Sequence, residues 1–190
     1  MKLLVISGSA RQASVNGKLG KVACALAAEL GAEAEFVDPR DHVLPLYDGD
    51  LEEAEGLPAA ARELKEKFVA ADALIFCSPE YNSSVTPLLK NLIDWISRAE
   101  GDEEPPLAAY QGKVAGLLSA SPGGLGGMRG LVHLRAILGN IGVLVVPKQF
   151  AMGSAFEKFD EAGELTDERA RGQVEAVVKQ VVETAGKLSA

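Results

Sequence analysis

The residue types best suited to chemistry cluster first in Ser7-Gly8-Ser9-Ala10-Arg11-Gln12-Ala13-Ser14-Val15-Asn16, which follows the apolar run Leu3-Leu4-Val5-Ile6 and precedes a helical pattern. Hydroxyls, an amide and a guanidinium stand there just ahead of a helix N-terminus. The first backbone N–H groups of a helix have no intrahelical acceptor and carry partial positive charge, so they suit an anion such as a terminal phosphate. Ser9, Ser14 and Asn16 add hydrogen bonds, and Arg11 adds a charge-assisted one. Ser14 and Asn16 are also favoured N-cap residues, so simple capping competes with ligand binding at both.

Two more loops share this character. Ser78-Pro79-Glu80-Tyr81-Asn82-Ser83-Ser84-Val85 follows the apolar run Ala73 to Cys77 and leads to a helix opened by Thr86-Pro87. Ser119-Ala120-Ser121-Pro122-Gly123-Gly124-Leu125-Gly126-Gly127-Met128-Arg129 follows a third apolar run. In an open α/β sheet, ligands bind beyond the carboxyl ends of the strands, so three such loops describe one crevice. Glycine in the third loop lets backbone approach a ligand closely. The first loop is neither a Walker motif nor a Rossmann fingerprint, because Ala10 and Ala13 stand where further glycines are required. In the third loop, Arg129 breaks the dinucleotide pattern in the same way.

The elements that must carry these loops follow from periodicity. Short apolar runs predict strands at Leu3–Ile6, Ala34–Val37, Ala73–Cys77, Lys113–Leu118 and Ile141–Val146. Helical spacing of Leu19, Val22, Ala23, Leu26 and Leu30 predicts a helix stopped by Gly31. Pro58 opens another, carrying Ala61, Leu64, Phe68 and Val69. Further helices are predicted over Leu88–Arg98 and Gly127–Leu138. A last one is capped by Thr166, with Asp167 and Glu168 at its positive end and a stripe of Val174, Val177, Val178, Val181 and Ala185. The stretch from Asp38 to Leu57 reads as an acidic loop, Gly101–Pro106 as a polar linker and Gly153–Gly163 as a surface excursion. Strands alternating with helices imply a parallel sheet with helices on both faces. Five strands favour an α/β, flavodoxin-like, doubly wound sheet of order 2-1-3-4-5, with residues 1–190 forming a single domain.

Composition narrows the partners. A net charge of -8 with 24% charged residues argues against a nucleic-acid partner, while leaving room for a local cationic pocket. No apolar stretch approaches a membrane span, and the first apolar run is too short for a secretory signal. Cys24 and Cys77 have no metal-ligand or C-x-x-C spacing and read as free thiols, which suits a reducing cytoplasm. With only His42 and His133, no multi-histidine metal site can form. Trp95, within a helix, reads as core or subunit interface. Tyr81 is either rim packing or a ligand contact.

Gly8-Ser9-Ala10-Arg11 with Ser14 and Asn16, then Pro79-Glu80-Tyr81-Asn82 and Leu89-Lys90-Asn91 to Asp94-Trp95, then Ser121-Pro122-Gly123 and Gly127, resembles the NADPH-dependent FMN reductase family. That family includes chromate, quinone and azo reductases of flavodoxin-like fold. The resemblance covers at least Met1 to Arg135. It implies bound FMN, with Ser9, Arg11, Ser14, Val15 and Asn16 at its phosphate. Pro79, Glu80, Tyr81 and Asn82 would line the isoalloxazine, with Ser121 and Gly123 at its other side. NADPH or NADH would be the hydride donor, a small molecule the acceptor, and a homodimer or homotetramer the assembly. One departure stands out: Thr86-Pro87-Leu88 replaces a Pro-Gly followed by a small residue, which bears on the start of the helix and the pocket rim. No obligatory catalytic side chain is implied, since the cofactor carries the chemistry. Glu80 suits a structural turn contact better than a general acid, and Arg11 and Arg129 are candidates for a 2′-phosphate. The rival function is a flavodoxin-type electron carrier that does not turn over NAD(P)H; a scaffold that kept the fold and lost flavin is a third.

Overall fold

The buried runs of the sequence become the middle of a sheet. In a computed structural model, which describes residues 1–188, β1 (Lys2–Ser7), β3 (Ala73–Cys77) and β4 (Val114–Ala120) are buried at nearly every position. Strands covered on both faces have no polar side to show, which is why these three read as continuous apolar runs. β2 (Glu33–Val37) and β5 (Leu144–Met152) are more polar and lie at the edges. The sheet is parallel, with order β2-β1-β3-β4-β5, as the alternation of elements predicted.

Side chains alternate across this sheet and feed two cores. Leu3, Val5 and Ile75 pack with α1 (Val15–Glu29) and α6 (Glu168–Leu188) on one face. Leu4, Ile6, Leu74 and Phe76 pack with α3 (Ala59–Ala70), α4 (Pro87–Ile96) and α5 (Met128–Asn140) on the other. The stripe Val174, Val177, Val178, Val181 and Ala185 is buried throughout, as its spacing required. Leu30 and Val69, at the ends of their stripes, are exposed.

Three local expectations are corrected. The acidic loop contains a short helix, α2 (Gly49–Glu55), capped by Asp48, whose carboxylate accepts from the Asp50 N–H. None of its residues is buried, so it has no apolar stripe to detect; Tyr47 and Arg98 hold it through Glu52. The fifth strand is Leu144–Met152, not Ile141–Val146, and runs through Pro147. Proline cannot donate to a ladder, but an edge strand tolerates it, and the register with β4 shifts between Ala115 and Leu117. Arg135 on α5 donates to the carbonyls of Val145 and Val146 beside this irregularity. Finally, Asp167 caps α6 in place of Thr166: its carboxylate accepts from Ala170 N–H at 2.7 Å, while the Thr166 hydroxyl donates to Lys158 O.

Trp95 is core: it is fully buried against Leu57 and Ala61, and its Nε1 donates to Pro45 O. Cys77, at the end of β3, is fully buried, and burial pushes its thiol far above the ordinary 9.0. The folded protein therefore keeps a proton that the unfolded chain releases. That contribution to stability is complete below pH 9 and is lost as pH rises toward the folded value. Comparing urea unfolding of wild type and Cys77→Ala at pH 8 and pH 10, the wild type should lose more stability than the variant, by on the order of 1 kcal/mol. An equal loss in both would show that Cys77 ionises in the folded state.

Candidate active site

The first loop is built largely from its own hydroxyls. The Ser7 hydroxyl accepts from Ser9 N–H, the Ser9 hydroxyl accepts from Arg11 N–H, and Arg11 O accepts from Ser14 N–H. Ser14 caps α1, its hydroxyl accepting from Gly17 N–H at 3.2 Å. Val15 and Asn16, at the first helical positions, keep backbone N–H groups that the helix cannot use. Asn16 is buried and its side chain is committed: Nδ2 donates to Ala120 O at 2.7 Å and Oδ1 accepts from Ala120 N–H at 2.9 Å. It ties the first loop to the end of β4, so its side-chain amide is spent within the protein. Arg11 is exposed and makes no ion pair among the described residues. Lys18, Lys21 and Arg40 lie with Arg11 around an adjoining hollow of about 60 Å³, giving an acidic chain a local cationic corner.

The second loop is pinned to the first. Thr86 caps α4 by accepting from Leu89 N–H, and donates to Gly8 O at 2.8 Å. Gly8 N–H donates to Cys77 O. A Cβ at Gly8 would sit 3.0 Å from Pro79 Cδ and 3.2 Å from Leu89 Cδ2, so any larger residue would press on both side chains. Thr86-Pro87 thus forms a sound helix start, with proline at the first helical position, where its missing N–H costs nothing. Tyr81 and Ser84 exchange backbone hydrogen bonds of 3.0 Å each, around Asn82 (φ 50°) and Ser83 (φ 66°). That is a two-residue turn with both central residues left-handed.

Glu80 turns its carboxylate away to α5. Oε1 accepts from Arg129 Nη2 at 2.6 Å and Oε2 from Gly130 N–H at 2.9 Å. Partial burial works to raise its pKa, but the Gly130 N–H and the Arg129 guanidinium outweigh it and hold the carboxyl below its ordinary range. Glu80 is therefore ionised at neutral pH and serves as a turn contact, as the sequence suggested. Arg129 meets it with Nε and Nη2 and stays largely exposed. The third loop bends back to β5: Ser121 N–H donates to Met152 O, and Gly126 and Gly127 take φ of 65° and 90° ahead of α5.

These loops meet in a crevice of about 110 Å³. It is lined by Ser9, Arg11, Ser14, Val15, Asn16, Pro79, Glu80, Tyr81 and Ser121 among the predicted residues. Asn82, at the tip of its turn, and Gly123, exposed in the third loop, stand outside that lining. Ala13, Ala120, Pro122 and Phe156 also line it. Phe156 was missed because it sits in the excursion after β5; an aromatic just past the same sheet edge was the available signal. Larger hollows exist, one of about 700 Å³ between the end of β5 and the start of α6 and one of about 290 Å³ at the opposite end of the sheet. Volume does not choose between them. The small crevice lies where strand order reverses, between β1 and β3, which is where such sheets bind ligands. Among the described residues no cluster of metal-ligating side chains occurs, and no helix is long and apolar enough to cross a membrane.

The fold and crevice define a doubly wound α/β nucleotide-binding protein. The model of the NADPH-dependent FMN reductase family matches residues 1–157. An NAD(P)H-dependent FMN reductase of Pseudomonas aeruginosa is 40% identical over 172 residues, covering 90% of this chain and 88% of that protein. A quinone reductase of Escherichia coli is 35% identical over 173 residues, covering 88% and 86%. The structure of FerB, a flavoenzyme NAD(P)H:(acceptor) oxidoreductase of Paracoccus denitrificans, superposes with a TM-score of 0.83 at 30% identity, covering 98% of this chain and 97% of that one. The chain belongs to the NADPH-dependent FMN reductase family. It is an FMN-dependent oxidoreductase using NAD(P)H, and the electron-carrier reading is set aside.

The residues present fit FMN. Free N–H groups at a helix start, a hydroxyl loop and an exposed arginine without an ion pair among the described residues suit its phosphate. The Glu80 clamp should be acid-sensitive. With its folded pKa depressed, its contribution is complete above the ordinary 4.5 and is lost as pH falls through the folded value. Glu80→Gln should therefore flatten the acid limb of the stability curve below pH 4.5, measured by thermal unfolding from pH 3 to 7. An unchanged limb would mean the carboxylate contributes nothing.

Proposed function

We propose that this crevice holds FMN with the phosphate at Ser9, Arg11, Ser14, Val15 and Asn16 and the isoalloxazine along Pro79, Glu80, Tyr81 and Asn82, with Ser121 and Gly123 on the other side. The observation that carries this reading is the meeting of the hydroxyl loop and the Pro79–Asn82 turn at the β1/β3 switch point. FMN bound there supplies hydride transfer from NAD(P)H to a second substrate. The chain's own part is to bind, orient and shield. The N–H groups of Val15 and Asn16 and the Arg11 guanidinium neutralise the phosphate. Pro79 and the backbone of the turn shape the ring slot. Glu80, kept ionised on Arg129, moves no proton.

The acceptors are small oxidants that fit an open, flat face: quinones, azo compounds, metal oxyanions or free flavin. The names of the quinone reductase and FMN reductase relatives support the first and last. We further infer a cytoplasmic, single-domain enzyme that works as a homodimer or homotetramer. Two free thiols support the compartment. Exposed Tyr81 and Phe156 line the crevice, and exposed Leu125, Met128 and Val132 in the third loop and α5 add apolar surface for a neighbouring subunit to cover.

The purified protein should show flavin absorbance that bleaches on anaerobic addition of NADPH and returns when a quinone is added. Flavin that binds but ignores NADPH would return the function to electron carriage, and a protein that takes up no FMN would sink the reading. Arg11→Ala removes a charge-assisted contact and should weaken FMN binding by roughly ten- to hundredfold in a titration of apo-protein. Unchanged affinity would remove Arg11 from the site.

A further inference from the structure

The ring-binding turn is in an unfavourable conformation that its own sequence does not explain. Asn82 is tolerated in the left-handed region, but Ser83 at φ 66° is not a favoured occupant. Such conformations persist where the surroundings over-determine them. Here the surroundings are α5, which grips the turn at both ends. On the near side the Glu80 carboxylate takes Arg129 and the Gly130 N–H. On the far side His133 Nδ1 and the Ser84 hydroxyl lie 2.9 Å apart, the donor being set by the histidine tautomer. Between them the helix seats directly on the turn: a Cβ at Gly130 would lie 3.1 Å from Ser84 O and 3.4 Å from Glu80 Cβ. His133 stands one helical turn beyond Arg129, so both grips come from one face of α5.

We propose that α5 positions the ring-binding turn: Gly130 and His133, acting through Glu80 and Ser84, hold Pro79–Asn82 in the geometry on which the flavin's redox balance depends. This rests on the FMN reading above. None of Gly130, His133 and Ser84 lines the crevice, so each acts through the turn and is a positioning residue. Hydrogen bonds and backbone dipoles at the ring edge affect oxidised and reduced flavin differently. A turn that slackens therefore changes the ratio of the two affinities, and with it the midpoint potential. Mere loss of stability would not do so.

The test uses holoenzyme and three measurements: midpoint potential by dye equilibration, FMN affinity by fluorescence quenching, and melting temperature. Ser84→Ala and His133→Ala should each change the ratio of oxidised to reduced FMN affinity at least threefold, about 14 mV for a two-electron couple. The double variant should move it no further than either single one, because both remove the same contact. His133→Gln, which keeps a donor and an acceptor, should move it less than His133→Ala. Gly130→Ala, which presses on the turn through backbone, should move it independently of His133. Potentials equal to wild type in the folded single variants, or additive shifts in the double, overturn the proposal. A wild type that takes up no FMN overturns the FMN reading itself, and this inference with it. A wild type that binds FMN beside variants of unchanged potential overturns only the role of α5.

Discussion

The hydroxyl of Thr86 joins the two loops between which the sheet reverses its order. It accepts from Leu89 N–H, starting α4, and donates to Gly8 O. Gly8 N–H in turn donates to Cys77 O, so the ends of β1 and β3 are fixed to each other by backbone as well as by this one side chain. All of it is buried, where each bond lost would leave a polar group without a partner at a cost of about 1–3 kcal/mol. Gly8 suits the arrangement, because a methyl there would press on Pro79 and Leu89. Asn16 repeats the device one strand further, bonding both polar groups of Ala120. The crevice therefore rests on cross-links between loops, with β1, β3 and β4 as their anchors.

The same cross-links explain what could be read from residues alone. The interior strands were legible because burial on both faces leaves no polar position, and the last helix because Val174, Val177 and Val181 keep its period. The loops after β1, β3 and β4 were legible because hydroxyls, glycine and proline concentrate where strands end. What escaped was whatever depends on partners distant in the chain. α2 has no fully buried residue, packs only Leu51 at the edge of the Trp95 cluster, and is held through Tyr47 and Arg98. β5 passes through Pro147 because it lies at an edge, a fact that topology settles and periodicity does not. Asn16 looked like a phosphate ligand or a cap and is first a tie to Ala120. Phe156 reaches the crevice only because β5 runs on to Met152.

Charge is distributed to the same end. A chain of net charge -8 repels anions at long range, and that repulsion is screened within about 8 Å at physiological ionic strength. Close to the first loop the balance is local: Arg11, Lys18, Lys21 and Arg40 gather beside the start of α1, with Asp38 bound to Arg40. A phosphate placed there meets helix N–H groups and cations, not the average surface. Cys77, at the end of β3, is fully buried, and burial raises its pKa so that the thiol stays protonated at neutral pH.

The two halves of the crevice are consequently built on different principles. The half proposed for the phosphate is a loop whose Ser7, Ser9 and Ser14 hydroxyls fix its own backbone N–H groups. The half proposed for the ring is a turn with two left-handed residues, Asn82 and Ser83, held from α5 by the Gly130 backbone N–H and by the Arg129 and His133 side chains. Backbone suits the first task because a phosphate is the same in every redox state and asks only for charge and donors. Side-chain clamps suit the second because a flavin ring changes its hydrogen-bonding demands on reduction, and small displacements of its neighbours alter the balance between states. With FMN placed as proposed, α5 grips the turn through Gly130 and His133 and, among the described residues, makes no such contact with the Ser9–Ser14 loop, so the two halves can be altered separately.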